Sequence, residues 1–169
     1  DGCRLARLLL LQLAPALELI SGSCYHRDVN AHNILIDGTD EAAARFGLVD
    51  FGLAVDVECW RGAADAGAAA QRPSRVGQDG ACSWHQLDVG GDCRYWPVSA
   101  WTQFLLGWTE LEATPQLCFE YQTQLDLHSL GLTALQVVAE LLPAAGEAAG
   151  DAPPEALALG AAWGRYWAL

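Results

Sequence analysis

Tyr25-His26-Arg27-Asp28-Val29-Asn30-Ala31-His32-Asn33-Ile34-Leu35 is the stretch on which the reading of this 169-residue chain turns. Its end, residues 33–36, is strand-like and runs into a turn at Asp37-Gly38. Upstream, residues 5–20 read as a helix with leucines on most faces, which implies burial nearly all round. Pro15 should kink that helix or split it near Ala14, and Ser21-Gly22-Ser23 should end it. Downstream, residues 46–49 read as a second short strand, closing on Val49-Asp50-Phe51-Gly52-Leu53-Ala54. Farther on, Asp126-Leu127-His128-Ser129-Leu130-Gly131 opens a strongly apolar helix over residues 125–142, stopped by Pro143.

The segments between are less regular. Residues 62–80, rich in Ala, Gly and Arg, have no apolar period and should form a mobile loop. Residues 84–89 suit a short strand, punctuated by Gly90-Gly91. Residues 101–108 suit a short helix or an aromatic packing segment. Residues 144–154 read as a linker. Residues 154–169 read as an amphipathic helix with Trp163, Tyr166 and Trp167 on its apolar side. No internal repeat is present.

Composition sets the broad class. With 52% hydrophobic and 18% charged residues, the chain is globular rather than disordered. A formal net charge of -12 disfavours nucleic acid and anionic membranes as partners, because both are polyanions. The apolar runs at residues 8–11 and 130–142 are too short or too interrupted to span a bilayer. There is no lysine, and the nine basic residues are all arginines. The six cysteines form no C-x-x-C pair and no zinc pattern, so mostly buried free thiols in a reducing, cytoplasmic setting are expected. The absence of methionine leads to the expectation that the chain is a fragment of a longer protein.

The three motifs occur in one order, and each resembles a protein-kinase segment. Residues 25–35 resemble the catalytic loop H-R-D-x-x-x-x-N, residues 49–54 the magnesium-binding D-F-G segment, and residues 126–131 the start of the long central helix of the C-terminal lobe. The resemblance covers most of residues 5–142. It implies a mainly α fold with short β hairpins: the C-terminal lobe of the protein-kinase-like α+β fold, with the N-terminal lobe absent. Residues 1–143 would be the partial kinase domain, and residues 144–169 a linker and C-terminal helix of the same lobe. The arginine of the first motif and the phenylalanine of the second point to protein kinases rather than small-molecule kinases.

The resemblance also assigns roles. Phosphoryl transfer depends on alignment and charge neutralisation. Asp28 would accept or orient the proton of a substrate hydroxyl, and Asn33 and Asp50 would hold Mg²⁺ bridging the phosphates of ATP. The four residues between Asp28 and Asn33 let one loop present both groups to the same side. Gly52 would allow a sharp turn after the metal ligand. His26 and Phe51 would stack together, and Asp126 would anchor them by hydrogen-bonding the catalytic-loop backbone. Arg27 would pair with a negative charge on the activation segment. A phosphate on Ser74 or Ser83 and a built-in acid, Asp88 or Asp92, are both open as that charge.

Departures from the pattern qualify the assignment. The Gly-rich loop, its lysine and the adenine hinge are missing. Asn30 stands where Ser/Thr kinases carry a lysine beside the transferring phosphate, so Ser/Thr is preferred to Tyr on general abundance alone. Gly91-Asp92-Cys93-Arg94-Tyr95 resembles the substrate-docking segment G-T-x-x-Y, with Asp92 replacing the threonine. A side-chain contact between Asn30 and Asp92 is expected to brace that segment. The A-P-E motif has two candidate registers, residues 97–99 and the preferred residues 114–116, which makes residues 101–113 an insertion. The leading expectation is part of an active kinase with ATP, Mg²⁺ and a protein substrate as partners, itself inactive as this chain alone. A catalytically silent scaffold and a free-standing lobe used for protein interaction are the alternatives.

Overall fold

A computed structural model of the chain describes residues 2–38, 43–61, 84–141 and 154–168. The expected loop at residues 62–80, Ser74, Ser83, Cys82 and most of the expected linker lie outside the described residues. The architecture is mainly helical, with two small antiparallel strand pairs.

Helix α1 spans Gly2–Ile20. Its buried residues Gly2, Ala6, Leu9, Leu13 and Leu17 recur every third or fourth position and form one stripe. Leu10, Leu11 and Leu19 are exposed. The expectation of burial all round is therefore corrected: leucine content is high, but a single stripe has a packing partner. Pro15 does not split the helix either. It sits on the exposed side, where water can serve the Leu11 carbonyl that loses its N–H donor.

The strands follow. β1 (Cys24–Tyr25) pairs antiparallel with β4 (Val55–Asp56), placing Tyr25 opposite Val55. β2 (Ile34–Asp37) pairs antiparallel with β3 (Arg45–Leu48), from Ile34 opposite Leu48 to Asp37 opposite Arg45. This hairpin is the one expected on either side of the Asp37-Gly38 turn. A short helix α2, Val57–Arg61, leaves β4 directly. Residues 84–89, expected as a strand, instead begin with a 3₁₀ turn, Trp84–Gln86, whose indole is buried. The aromatic content favoured a strand, but one large ring entering the core needs only a turn to aim it.

The remaining elements are helices: α3 (Val98–Leu106), α4 (Trp108–Glu112), α5 (Pro115–Thr123), α6 (Leu125–Glu140) and α7 (Pro154–Trp167). Both candidate proline registers open helices. Pro97 is the N-cap of α3, and Pro115 stands in the first turn of α5, where its missing N–H costs nothing. The supposed insertion at residues 101–113 is thus ordered helix. Helix α6 buries Asp126, Ser129, Leu130, Thr133 and Ala134 along one side, so its apolar run is also one-sided.

Two cores result. One is built where α1 crosses α6, from Ala6, Leu9, Leu13, Leu17, Val29, Leu130 and Ala134. The other gathers Tyr25, Val55, Val57, Trp60, Trp84, Ala100, Leu111 and Tyr121. Trp60 is 0% exposed, and its Nε1 donates to the Gln122 carbonyl at 3.0 Å. Residues 25–33 bridge the two cores, with Tyr25 planted in one and Val29 in the other. A polar loop pinned at both positions has little freedom, which is what a positioned set of side chains requires.

Candidate functional site

The loop is shaped by Asp126, from the first turn of α6. Its Oδ2 accepts from the His26 N–H and its Oδ1 from the Arg27 N–H, both at 2.7 Å. Burial raises the Asp126 carboxyl above its ordinary value, while these two N–H groups pull it the other way. The anchoring expected of Asp126 is present, across about a hundred residues of sequence.

His26 is fully buried and links the loop to the strand that precedes Asp50. Its Nε2 lies 3.0 Å from the Val49 carbonyl, and its Nδ1 lies 3.3 Å from the Asp28 N–H. A carbonyl can only accept and a backbone N–H can only donate, so this arrangement suits a ring that donates from Nε2 and accepts at Nδ1. Phe51 packs edge-on against it at 4.6 Å between ring centroids. The His26–Phe51 stack expected from the sequence is formed.

Asp28 is the centre of convergence. Its Oδ1 accepts from Asn30 Nδ2 at 2.9 Å and from the Asp92 N–H at 3.0 Å. Its Oδ2 accepts from Asn33 Nδ2 at 3.0 Å. Asn30 Oδ1 meanwhile caps the 3₁₀ turn Ala31–Asn33, accepting from the His32 and Asn33 N–H groups at 2.8 and 3.2 Å. A carboxylate offers about four acceptor directions. Among the described residues three are taken, and the one without a donor is on Oδ2.

Arg27 stands in the left-handed region, φ 68, as does Asp50, φ 61; among the described residues these are the non-glycine positions with positive φ. Such conformations cost about 1–3 kcal/mol and persist only where surroundings over-determine them. Arg27 is held by Asp126 at its N–H, by the Asp88 carbonyl at its Nη2, and by the Trp60 ring, 5.2 Å beneath its Cζ. The Gly91 backbone lies against the Arg27 carbonyl so closely that a Cβ there would come within 2.4 Å of the oxygen. At φ 86, Gly91 is also where a side chain would be strained.

Two expectations are corrected here. Arg27 meets the main-chain oxygen of Asp88, not the carboxylate of Asp88 or Asp92. The Asp92 carboxylate instead turns back on Arg94, with Nη2 to Oδ2 at 2.6 Å and Nε to Oδ1 at 3.0 Å. That hydrogen-bonded pairing holds the Asp92 carboxyl below its usual value. Asn30 and Asp92 therefore share no side-chain bond. They meet on Asp28 Oδ1, one through an amide and the other through its backbone, because the guanidinium two residues away outcompetes an amide for the carboxylate. The phosphate route through Ser74 or Ser83 lies outside the described residues.

Asn33 and Asp50, the expected metal ligands, sit at the two ends of one short connection. The Val49 N–H donates to the Asn33 carbonyl at 2.9 Å, and Asp50 follows at once. Asp50 Oδ1 accepts from the Gly52 N–H at 3.2 Å, but the left-handed backbone at this turn belongs to Asp50 itself, φ 61, and not to Gly52. Asn33 Oδ1 and Asp50 Oδ2 have no hydrogen-bond donor among the described residues. Two unclaimed hard oxygens suit a magnesium ion that keeps its remaining positions for phosphate and water. No group of three or more His, Cys, Asp or Glu among the described residues could hold a metal unaided.

Several supporting residues carry no motif signal. Trp60 under Arg27 is an example; Ser129 lies inside the 126–131 motif but was given no role there, and its hydroxyl donates to the Tyr95 carbonyl at 2.9 Å. Tyr121, buried near Arg27, has its hydroxyl pushed up to about 12 by desolvation. Gly91 was visible as punctuation and as the first residue of the docking-like segment, but not as a close neighbour of the Arg27 carbonyl. The cysteines also differ from expectation, since Cys3 and Cys93 are exposed. Among the described residues, no helix is long and apolar enough to cross a membrane.

Comparison with family models, curated proteins and solved structures finds no match to this chain.

Proposed function

We propose that this chain carries the hydroxyl-facing and metal-facing half of a protein-kinase-like phosphotransfer site. The supporting observation is the convergence on Asp28: among the described residues, Asn30, Asn33 and the Asp92 N–H hold its carboxylate and leave one Oδ2 direction without a donor. In this reading, that direction receives the hydroxyl of a protein substrate, Ser or Thr in preference to Tyr. Asp28 orients the hydroxyl and takes its proton as the bond to phosphorus forms. Asn33 Oδ1 and the Asp50 carboxylate hold Mg²⁺, which would neutralise the phosphates of ATP. His26 keeps the Asp28 loop and the Asp50 turn in register, because one imidazole bonds to both.

The chain has no lysine, so any cation that contacts the phosphates within it would be an arginine. A cytoplasmic location forms part of the same proposal. The scaffold reading draws on a different observation: an amide, Asn30, stands beside the Asp28 carboxylate where Ser/Thr kinases carry a lysine, and the Arg27 guanidinium is engaged by the Asp88 carbonyl and the Trp60 ring.

The test is phosphoryl transfer from labelled ATP to a mixed protein substrate by the natural protein containing this chain. Asp50→Asn should abolish transfer, and Asp28→Asn should lower it by about 10²–10⁴. Transfer at the wild-type rate in both variants would refute the assignment. A wild-type protein with no transfer that still binds partners would support the scaffold.

A further inference from the structure

Helix α3 carries its large apolar side chains outward. Only Ser99 and Ala100 of this helix are buried. Phe104, Leu105 and Leu106 are 60%, 67% and 66% exposed, Val98 and Trp101 are also exposed, and Trp108 extends the surface onto α4. This reverses the usual helix, whose apolar stripe faces the core. Contiguous exposed apolar surface of this kind marks an interaction site.

The surface is also pre-organised. The Trp96 ring packs on Trp101 and Phe104 at 5.2 and 5.4 Å, and those two pack on each other at 6.2 Å. Trp96 Nε1 donates to the Gly90 carbonyl at 2.9 Å, tying the cluster to the segment beside Arg27. Rigid aromatic anchors lose little entropy on binding, which is why they dominate binding energy.

Charge decides what fits. Residues 96–123 contain no Arg, Lys or His, and their acids are Glu110, Glu112 and Glu120. Glu112 meets His85 at 2.7 Å and Glu120 accepts from the Ser99 N–H at 3.2 Å, which leaves Glu110 exposed at the rim. The whole chain carries -12. An anionic lipid surface is repelled by this field. A second copy would bring acidic rim against acidic rim in a self-complementary contact.

We propose that the outward face of α3 is a docking surface for a basic amphipathic helix of a protein partner, with large apolar residues on one face and Lys or Arg on the flanks. A nine-residue helix is about 14 Å long, which matches two to three turns of such a partner. The proposal rests on the packing of α3 and is independent of the phosphotransfer reading.

The test uses two labelled peptides of about 16 residues with the same Leu face, one flanked by Lys and Arg, the other by Glu. Fluorescence anisotropy should show the basic peptide binding at least about tenfold tighter, with the difference shrinking as salt rises. In the wild-type chain, its NMR shift changes should fall on the Trp101 and Trp108 indoles. The double variant Phe104→Ser, Leu105→Ser, with unchanged circular dichroism, should lose about tenfold in affinity. Equal binding of both peptides, shift changes elsewhere, or undiminished binding by the folded double variant would overturn the proposal. So would a concentration-dependent dimer, or adsorption to phosphatidylserine vesicles, that the double variant abolishes; these outcomes would assign the face to a second copy or to lipid.

Discussion

Replacing Asp126 tests whether the loop is anchored as described. In Asp126→Ala, the N–H groups of His26 and Arg27 lose the acceptors they have among the described residues, each now at 2.7 Å. Asp126 is 7% exposed, so water cannot replace the carboxylate without entering the space behind the loop. An orphaned buried donor costs about 1–3 kcal/mol, and two such donors give about 2–6 kcal/mol. Relief of the carboxylate's own desolvation offsets part of this, so we expect about 3 kcal/mol. Asp126→Asn keeps one acceptor oxygen but aims an NH₂ at the other N–H, so it should lose about 2 kcal/mol. Urea denaturation reads both values. With a slope of about 2 kcal/mol/M, the Ala variant should shift the midpoint by about 1.5 M. Hydrogen exchange adds the local readout: the amides of residues 26 and 27 should lose protection in Asp126→Ala before the α1–α6 core does. A midpoint unchanged in Asp126→Ala, with both amides as protected as in the wild type, would refute the anchoring argument.

Gly91→Ala should destabilise the chain by about 1–3 kcal/mol in the same urea assay, because its Cβ meets the Arg27 carbonyl at a positive φ; a neutral effect would mean that this approach is not close. Trp60→Phe should cost about 2–4 kcal/mol, since it empties a fully buried site and orphans the Gln122 carbonyl; a loss below about 0.5 kcal/mol would contradict the packing. The Asp92–Arg94 pair should show a defined pH dependence. Its folded-state carboxyl value lies below the ordinary 3.8, so its stabilisation is present above that value and is lost as pH falls through the lowered one. Carboxyl NMR titration of Arg94→Gln should show the Asp92 value rising toward the ordinary range, and an unmoved titration would exclude Arg94 as the cause.

Much of the site was legible locally. The hairpin on either side of Asp37-Gly38 depends on neighbours in sequence and was read from them; the Asn30 cap is equally local but was not read, because Asn30 was assigned to Asp92 instead. Helices α1, α6 and α7 were legible for the same reason, since apolar recurrence marks a helix before any partner is known, whereas α2 and α5 were not read. The partner decided the rest. Leucine density could not tell a helix buried all round from one with a single buried stripe, since that depends on what lies opposite each face. Residues 84–89 were misread because aromatic content measures affinity for a core, not the backbone shape that delivers the ring. Asp92 bonded to Arg94 instead of Asn30 because a nearby cation competes more strongly than an amide, a comparison that needs distances. Trp60 under Arg27 and Gly91 against the Arg27 carbonyl are separated from that loop by about 30 and 60 residues of chain. Sequence alone thus determined which residues could form the loop, the hairpin and the helices. Only the tertiary structure decided how Asp28 is held, because the Asp92 N–H reaches its Oδ1 from 64 residues away, and the loop that carries Asn30 and Asn33 is itself anchored by the distant Asp126.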